Sequence, residues 1–167
     1  MLVLAAPERN LHAPFRLPVD RVFTLEGFGT VVTGTLLEGT IRRETAVELV
    51  PGGPVSRART LQVHGQDMDT AWAGQRVAVN LAGIKKEQVR RGAVLAAPGS
   101  LPAGERLDVR LRVLPDARRA VRTASQVHLH HGASVQLARV VLLDRDVLAP
   151  GESGYAQLRL SEPLAAR

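Results

Sequence analysis

Apolar and polar residues alternate with a period of two along much of this chain, and this pattern constrains its fold more than any other feature. In residues 107–113, Leu107, Val109 and Leu111 fall on one face of an extended chain and Arg110 falls on the other. The longer period of an amphipathic helix is nearly absent. The chain is therefore predicted to be built from β-strands.

Short strands and closely spaced turns organise the rest of the sequence. Strands are also predicted at residues 30–33, 76–81, 135–143 and 155–160. Turn sequences rich in Gly and Pro recur between such runs, which is typical of antiparallel barrels and sandwiches. The densest Pro and Gly content lies at residues 96–104. This predicts one domain over residues 1–98 and a second over residues 99–167.

The chain is basic, and its positive charge is carried almost entirely by arginine. It has 22 Lys and Arg against 16 Asp and Glu, a net charge of +6. Six arginines cluster between residues 106 and 122: Arg106, Arg110, Arg112, Arg118, Arg119 and Arg122. Such a cluster can bind phosphates, and its alternative interpretation is a solvated outer strand face. Aromatic residues make up only 3%, which argues against base stacking on an aromatic platform.

Several kinds of chemistry are missing from the sequence. The absence of Cys excludes thiolate metal sites, and no phosphate-binding P-loop sequence occurs. His128 and His130 share a strand face but are interpreted as structural histidines, because no third ligand is close in sequence. No apolar run reaches the roughly 18 residues that a membrane helix needs. We therefore predict no catalytic residue, no metal site and no membrane association.

Two segments carry a more specific pattern. Residues 15–35 read as a strand, a Gly-containing turn and a second strand, ending in Gly-Phe-Gly-Thr-Val-Val-Thr-Gly-Thr. Residues 73–81 read Ala-Gly-Gln-Arg-Val-Ala-Val-Asn-Leu, a turn that leads into a strand. In this order the two segments resemble the second domain of the translational GTPases related to elongation factor Tu.

Within that group, three short segments narrow the resemblance to one family. The pairs Asp20-Arg21 and Gln75-Arg76 resemble the selenocysteine-specific elongation factors (SelB), as does the His-rich strand of residues 127–134. The resemblance implies an all-β fold of two tandem antiparallel β-barrels of the translation-factor type. It also implies that the second barrel lacks its closing strands, because the family's third domain continues beyond the last residue here.

The same resemblance implies the function. The chain is expected to be a fragment of a cytoplasmic elongation factor. The fragment itself is expected not to be an enzyme and to hold no cofactor, since GTP and Mg belong to a GTPase domain that is absent from it. The implied partner is selenocysteinyl-tRNA, and the full-length factor would also meet the ribosome and a selenocysteine-insertion mRNA hairpin. The implied pocket for the selenocysteinyl group consists of Asp20, Arg21 and Arg76.

The second barrel is implied to contact the tRNA backbone through arginines. The expected residues are Arg118, Arg119 and Arg122, in a turn after Pro115, followed by Arg110 and Arg112.

One difficulty concerns the pocket, because neighbouring residues of a regular strand point to opposite faces and Asp20 and Arg21 are adjacent. An edge or a bulge marked by Pro18 would remove this conflict.

Two alternative functions stay open at this point. The chain could be the barrel pair of another GTPase of the same architecture, such as elongation factor Tu or the GTPase subunit of sulfate adenylyltransferase. It could also be a generic RNA-binding barrel module that does not recognise an aminoacyl group. The combination of Arg21 with Arg76 favours the selenocysteine-specific factor.

Overall fold

The computed structural model describes residues 9–166, and nearly every regular element in that range is a β-strand. The strands of the first part are β1 (Arg16–Leu25), β2 (Gly29–Thr35), β3 (Thr40–Arg42), β4 (Ala46–Val50), β5 (Val55–Val63), β6 (Gln66–Met68), β7 (Thr70–Trp72), β8 (Arg76–Leu81) and β9 (Val94–Ala96). Those of the second part are β10 (Ala103–Arg112), β11 (Val121–Arg122), β12 (Gln126–His131), β13 (Ser134–Leu142), β14 (Val147–Leu148) and β15 (Ser153–Ala165). The predicted all-β fold is confirmed.

The described chain divides into two compact units. The first runs to Pro102 and the second comprises Ala103–Ala166. The boundary predicted from the Pro and Gly content lies between residues 98 and 99. Each unit has a hydrophobic core of its own.

The first unit is a closed antiparallel barrel. Its strands are hydrogen-bonded in the order β4-β9-β1-β2-β8-β5, and β5 pairs back with β4 to close the ring of six. Strand β6 pairs antiparallel with β5, and β3 and β7 form a separate two-stranded ribbon. Inward-facing aliphatic side chains such as Leu17, Val32, Leu61 and Val79 are fully buried in the barrel interior. Their burial is the main favourable term that stabilises the barrel.

The second unit contains a four-stranded antiparallel sheet in the order β10-β15-β13-β12 and a two-stranded ribbon of β11 and β14. One sheet face packs on the core through buried residues such as Val140, Leu142, Ala156 and Leu158. Alternation from Arg106 to Arg112 puts the polar residues of this part of β10 on the opposite, exposed face. Within residues 103–166, β10 and β12 form the two outer edges of this sheet.

Candidate functional site

Strand β1 contains a β-bulge at Asp20. The partner pairs with β2 are Val19 with Gly34 and Arg21 with Thr33, so two steps along β1 correspond to one step along β2. Asp20 is therefore the extra residue of the bulge. A bulge of this kind bends its strand and redirects the side chains beside it.

The bulge changes which residues face the core. Val19 is fully buried and Val22 packs against the barrel core, whereas the two residues between them, Asp20 and Arg21, are both exposed. Two consecutive polar side chains thus lie outside the barrel without breaking its apolar interior. The bulge therefore allows the adjacent residues Asp20 and Arg21 both to face outwards, which a regular strand would not allow.

Asp20 and Arg76 form a bidentate ion pair across the outside of the barrel. Arg76 Nη1 donates to Asp20 Oδ2 over 2.5 Å, and Arg76 Nη2 donates to Asp20 Oδ1 over 2.9 Å. The Thr33 hydroxyl of the intervening strand β2 donates to Asp20 Oδ1 over 2.8 Å. Planar two-point contact between a guanidinium and a carboxylate fixes the orientation of both groups.

These contacts set the charge states of the pair. Hydrogen bonds from Arg76 lower the pKa of the Asp20 carboxyl, partial burial opposes this, and the Thr33 hydroxyl and the Arg76 and Arg21 charges add to the lowering. The pKa of Arg76 is raised, chiefly by its hydrogen bonds to Asp20. Both groups are therefore charged at neutral pH.

Arg21 lies beside this pair. It is directly opposite Thr33, which bonds Asp20 and lies within 3.4 Å of Arg76 Nη2. The structure thus brings together the three side chains expected for the pocket, Asp20, Arg21 and Arg76, on one exposed face of the barrel. One carboxylate and two guanidiniums leave this cluster with one net positive charge.

A cleft of about 280 Å³ adjoins the cluster and was not predicted from the sequence. Its lining residues come from the β1–β2 hairpin and from β5, β6 and β8: Phe23, Leu25, Phe28, Val31, Thr60, Gln62, Asp67, Ala78 and Asn80. Phe23 lies two residues after Arg21 and Ala78 lies two residues after Arg76, so cleft and cluster share one strand face. One such step spans about 6.8 Å along a strand.

Asn80 gives the cleft a polar floor. It is buried, and its side-chain amide donates to the Phe28 backbone carbonyl over 2.6 Å, which ties the tip of the β1–β2 hairpin to β8. Its Oδ1 atom is buried and accepts no hydrogen bond. The exposed polar side chains in the cleft lining are therefore those of Gln62 and Asp67.

The arginines expected to contact a nucleic-acid backbone occupy two places in the second unit. Arg118 and Arg119 are exposed in a bend that follows the turn at Pro115, as predicted. Arg122 was expected in the same turn, but it lies on strand β11, opposite Val147 of β14. Arg110 and Arg112 lie on the exposed face of β10 and line a groove of about 520 Å³.

Two further negative findings concern residues 9–166 alone. No three His, Asp or Glu side chains in this range come together in a way that could hold a metal ion. No helix in this range is long and apolar enough to cross a membrane.

Comparisons with known proteins assign both units to families. The family described as elongation factor Tu domain 2 matches residues 29–96. The family described as selenocysteine-specific elongation factor, beta-barrel domain, matches residues 108–167. The two matched ranges follow each other in the order that the sequence motifs had indicated.

Individual relatives point to the same family. A selenocysteine-specific elongation factor of Desulfomicrobium baculatum is 45% identical over 95% of this chain, and one of Escherichia coli is 38% identical over 97%. Elongation factor Tu 2 of Streptomyces avermitilis is 43% identical, but over only 65% of the chain.

The fold agrees with a solved relative. A crystal structure of a bacterial selenocysteine-specific elongation factor superposes on 95% of the chain with a TM-score of 0.81 and 28% identity. The chain covers about a quarter of the length of that structure and of the two selenocysteine-specific relatives. The chain thus belongs to the selenocysteine-specific elongation factor family, and it corresponds to the elongation factor Tu-like second and third β-barrel domains of that family.

Proposed function

We propose that this chain is the part of a cytoplasmic selenocysteine-specific elongation factor that binds selenocysteinyl-tRNA. In this proposal the first barrel holds the selenocysteinyl end and the second unit contacts the tRNA backbone. The observation that carries it is the meeting of Asp20, Arg21 and Arg76 on one exposed barrel face, made possible by the bulge. Family membership supports the same assignment.

The charge of the cluster suits a selenolate. A selenol is more acidic than a thiol, so the selenocysteine side chain is largely an anion at neutral pH. Arg21 and Arg76 offer it charge-assisted hydrogen bonds, whereas a serine hydroxyl brings no charge to the same place. The factor would thereby reject the seryl precursor on the same tRNA.

Asp20 positions the cationic groups. Its two bonds to Arg76 hold that guanidinium in one orientation, so less side-chain freedom is lost when a ligand binds. Its carboxylate also provides an acceptor for the amino group of the esterified amino acid. We assign no bond-making step and no cofactor to these barrels. GTP hydrolysis and contacts with the ribosome and an mRNA hairpin would belong to other parts of a full-length factor.

The adjoining cleft suits the terminal nucleoside to which the amino acid is esterified. Its apolar walls, including Phe23 and Val31, match the faces of a base, and the exposed Gln62 and Asp67 side chains offer polar groups to the edge of a base. Cleft and cluster residues are two positions apart along each strand, about 6.8 Å. This distance fits two parts of one aminoacyl ester. In the second unit, Arg118, Arg119 and Arg122, together with Arg110 and Arg112, would meet backbone phosphates.

Replacing Arg76 with alanine tests the pocket. We expect Arg76→Ala to weaken binding of selenocysteinyl-tRNA by roughly 10- to 100-fold, the value of one charge-assisted hydrogen-bonded contact, and to affect seryl-tRNA much less. Both affinities are measured by filter binding or fluorescence anisotropy at one fixed salt concentration.

Arg57→Ala is the matched control, because Arg57 is an exposed arginine of the same barrel that pairs with Glu44 instead. It should change both affinities little. Equal losses for the two charged tRNAs in Arg76→Ala would contradict the pocket. Equal binding of charged and uncharged tRNA by the unaltered chain would favour a generic RNA-binding barrel.

A further inference from the structure

Strand β12 of the second unit carries two histidines on one exposed face. His128 and His130 are two residues apart, so on a regular strand both side chains leave the same side of the sheet. The pairing of β12 with β13 runs without a register shift from Gln126 to His131, which preserves this geometry. The Cα atoms of the two histidines are therefore about 6.8 Å apart.

The fold does not use either imidazole. Both residues are exposed, and within residues 9–166 neither side chain makes a hydrogen bond or an ion pair with the protein. A histidine that supports a fold is packed and hydrogen-bonded, so the structural role inferred for His128 and His130 from the sequence does not fit their surroundings. Their ring nitrogens are accessible to a ligand from solvent.

The neighbours of the two histidines are uncharged. In residues 103–166, β12 is an outer strand of its sheet and has β13 on one side only. On β13, Leu137 lies opposite His128 and Val135 lies opposite His130, and both of these apolar side chains are exposed. No arginine therefore stands directly opposite either histidine, where its charge would repel a bound cation.

Two imidazoles on one strand face suit a transition-metal ion. Imidazole is a preferred ligand of Cu²⁺, Ni²⁺ and Zn²⁺, and its bond to zinc is about 2.0–2.1 Å long. Each ring turns about its two side-chain torsions, so the two rings can converge on one ion although their Cα atoms are about 6.8 Å apart. Hard cations such as Mg²⁺ prefer oxygen ligands, which this face does not concentrate.

We propose that His128 and His130 chelate one divalent transition-metal ion, Cu²⁺ more tightly than Ni²⁺ or Zn²⁺. Within residues 9–166 no third His, Asp or Glu joins them, so water fills the other coordination positions. No protein group in that range holds the rings in place from behind, which makes the ion exchangeable and not part of the folded core. The site goes beyond the proposed function and does not depend on the selenocysteinyl pocket.

Calorimetric titration with Ni²⁺ tests the chelate. We expect one ion per chain. His128→Gln and His130→Gln should each weaken the Ni²⁺ affinity by at least about tenfold, because a single imidazole cannot chelate. Excess Mg²⁺ should not displace the Ni²⁺. With Cu²⁺ in its place, the electron paramagnetic resonance spectrum should show two nitrogen ligands.

His131→Gln is the matched control. His131 is an exposed histidine of the same strand, but it is adjacent to His130, so its side chain leaves the opposite face. This variant should bind Ni²⁺ as tightly as the unaltered chain. The proposal is overturned if His131→Gln loses as much affinity as His128→Gln, if either His128→Gln or His130→Gln keeps full affinity, or if one ion binds per two chains.

Discussion

Asp20 accepts hydrogen bonds from two different strands. Arg76 of β8 binds both of its carboxylate oxygens, and Thr33 of β2 binds one of them. A single carboxylate thus links three neighbouring strands on the outside of the barrel. Its charge is the condition for that link, because a protonated carboxyl would lose acceptor capacity towards the guanidinium.

The depressed pKa of Asp20 predicts a pH-dependent stability. A carboxyl whose pKa is lower in the folded than in the unfolded state stabilises the protein above the unfolded value, near 3.8, and this contribution is lost as the pH falls through the folded pKa. The Asp20 side chain is 36% exposed, so the effect is small. At pH 7, Asp20→Asn should lower the free energy of unfolding by at most about 1 kcal/mol.

Urea unfolding at a series of pH values measures this difference. The difference in the free energy of unfolding between Asp20→Asn and the unaltered chain should decrease below pH 3.8. It should vanish once Asp20 is protonated in the folded state as well. A gap that stays constant across the acid range would show that the loss comes from packing and not from the carboxylate charge.

The bulge depends on a glycine in the neighbouring strand. Gly34 lies opposite Val19, where β1 leaves its regular path, and a Cβ atom there would meet the Pro18 carbonyl oxygen and approach Leu17 Cδ2 to 2.6 Å. Strands β1 and β2 can therefore approach each other this closely only without a side chain at position 34. The geometry that exposes Asp20 is thus shared between two strands.

Gly34→Ala should consequently destabilise the first barrel. Accommodating the methyl group requires the backbone of β1 to shift, at a cost of about 1–3 kcal/mol typical of overpacking. Thermal unfolding measures the loss. Gly104→Ala is the matched control, because the nearest atom to its added Cβ is 3.9 Å away and we expect little change. Equal midpoints for the two variants would contradict the close approach.

The sequence predicts the strands well and the bulge only in part. The alternation in residues 107–113 and the β-branched run of residues 76–81 match β10 and β8, because each strand's pattern is local. The bulge also has a local signal in the sequence: the spacing of inward-facing residues changes from two between Leu17 and Val19 to three between Val19 and Val22.

No such local signal marks the cleft, or the register that sets Arg106, Arg159 and Arg139 side by side in the second sheet. Arg106, Arg139 and Arg159 meet only because β15 pairs between β10 and β13, and this order is a property of tertiary packing. Likewise, Asn80 looks like an ordinary strand residue until the hairpin carbonyl of Phe28 is placed against it. Such sites require register between distant strands, which one sequence does not encode locally.

At the scale of the whole chain, stability resides in two separate cores. The barrel core and the sheet core have no residue in common, and each unit is compact by itself. Two-state unfolding is therefore not expected for the chain as a whole. A calorimetric scan should resolve two transitions.

Paired core variants assign these transitions. Leu61 and Leu148 are both fully buried, one in each core. Leu61→Ala should lower the midpoint of the first barrel's transition only, and Leu148→Ala that of the second unit's transition only, each by about 8 °C or more. This shift corresponds to a typical cavity cost of about 2–5 kcal/mol. A single transition that both variants lower alike would mean that the units unfold together.

The bulge at Asp20 also affects how this binding face can change by mutation. In a regular strand, two side chains on one surface are separated by an inward-facing residue, and the codon of that residue must continue to encode an apolar side chain. Here Asp20 and Arg21 are encoded by adjacent codons and lie on the same outer surface. Both can therefore be exchanged as one dipeptide, in nature or in a combinatorial library, without passing through a variant that alters the core.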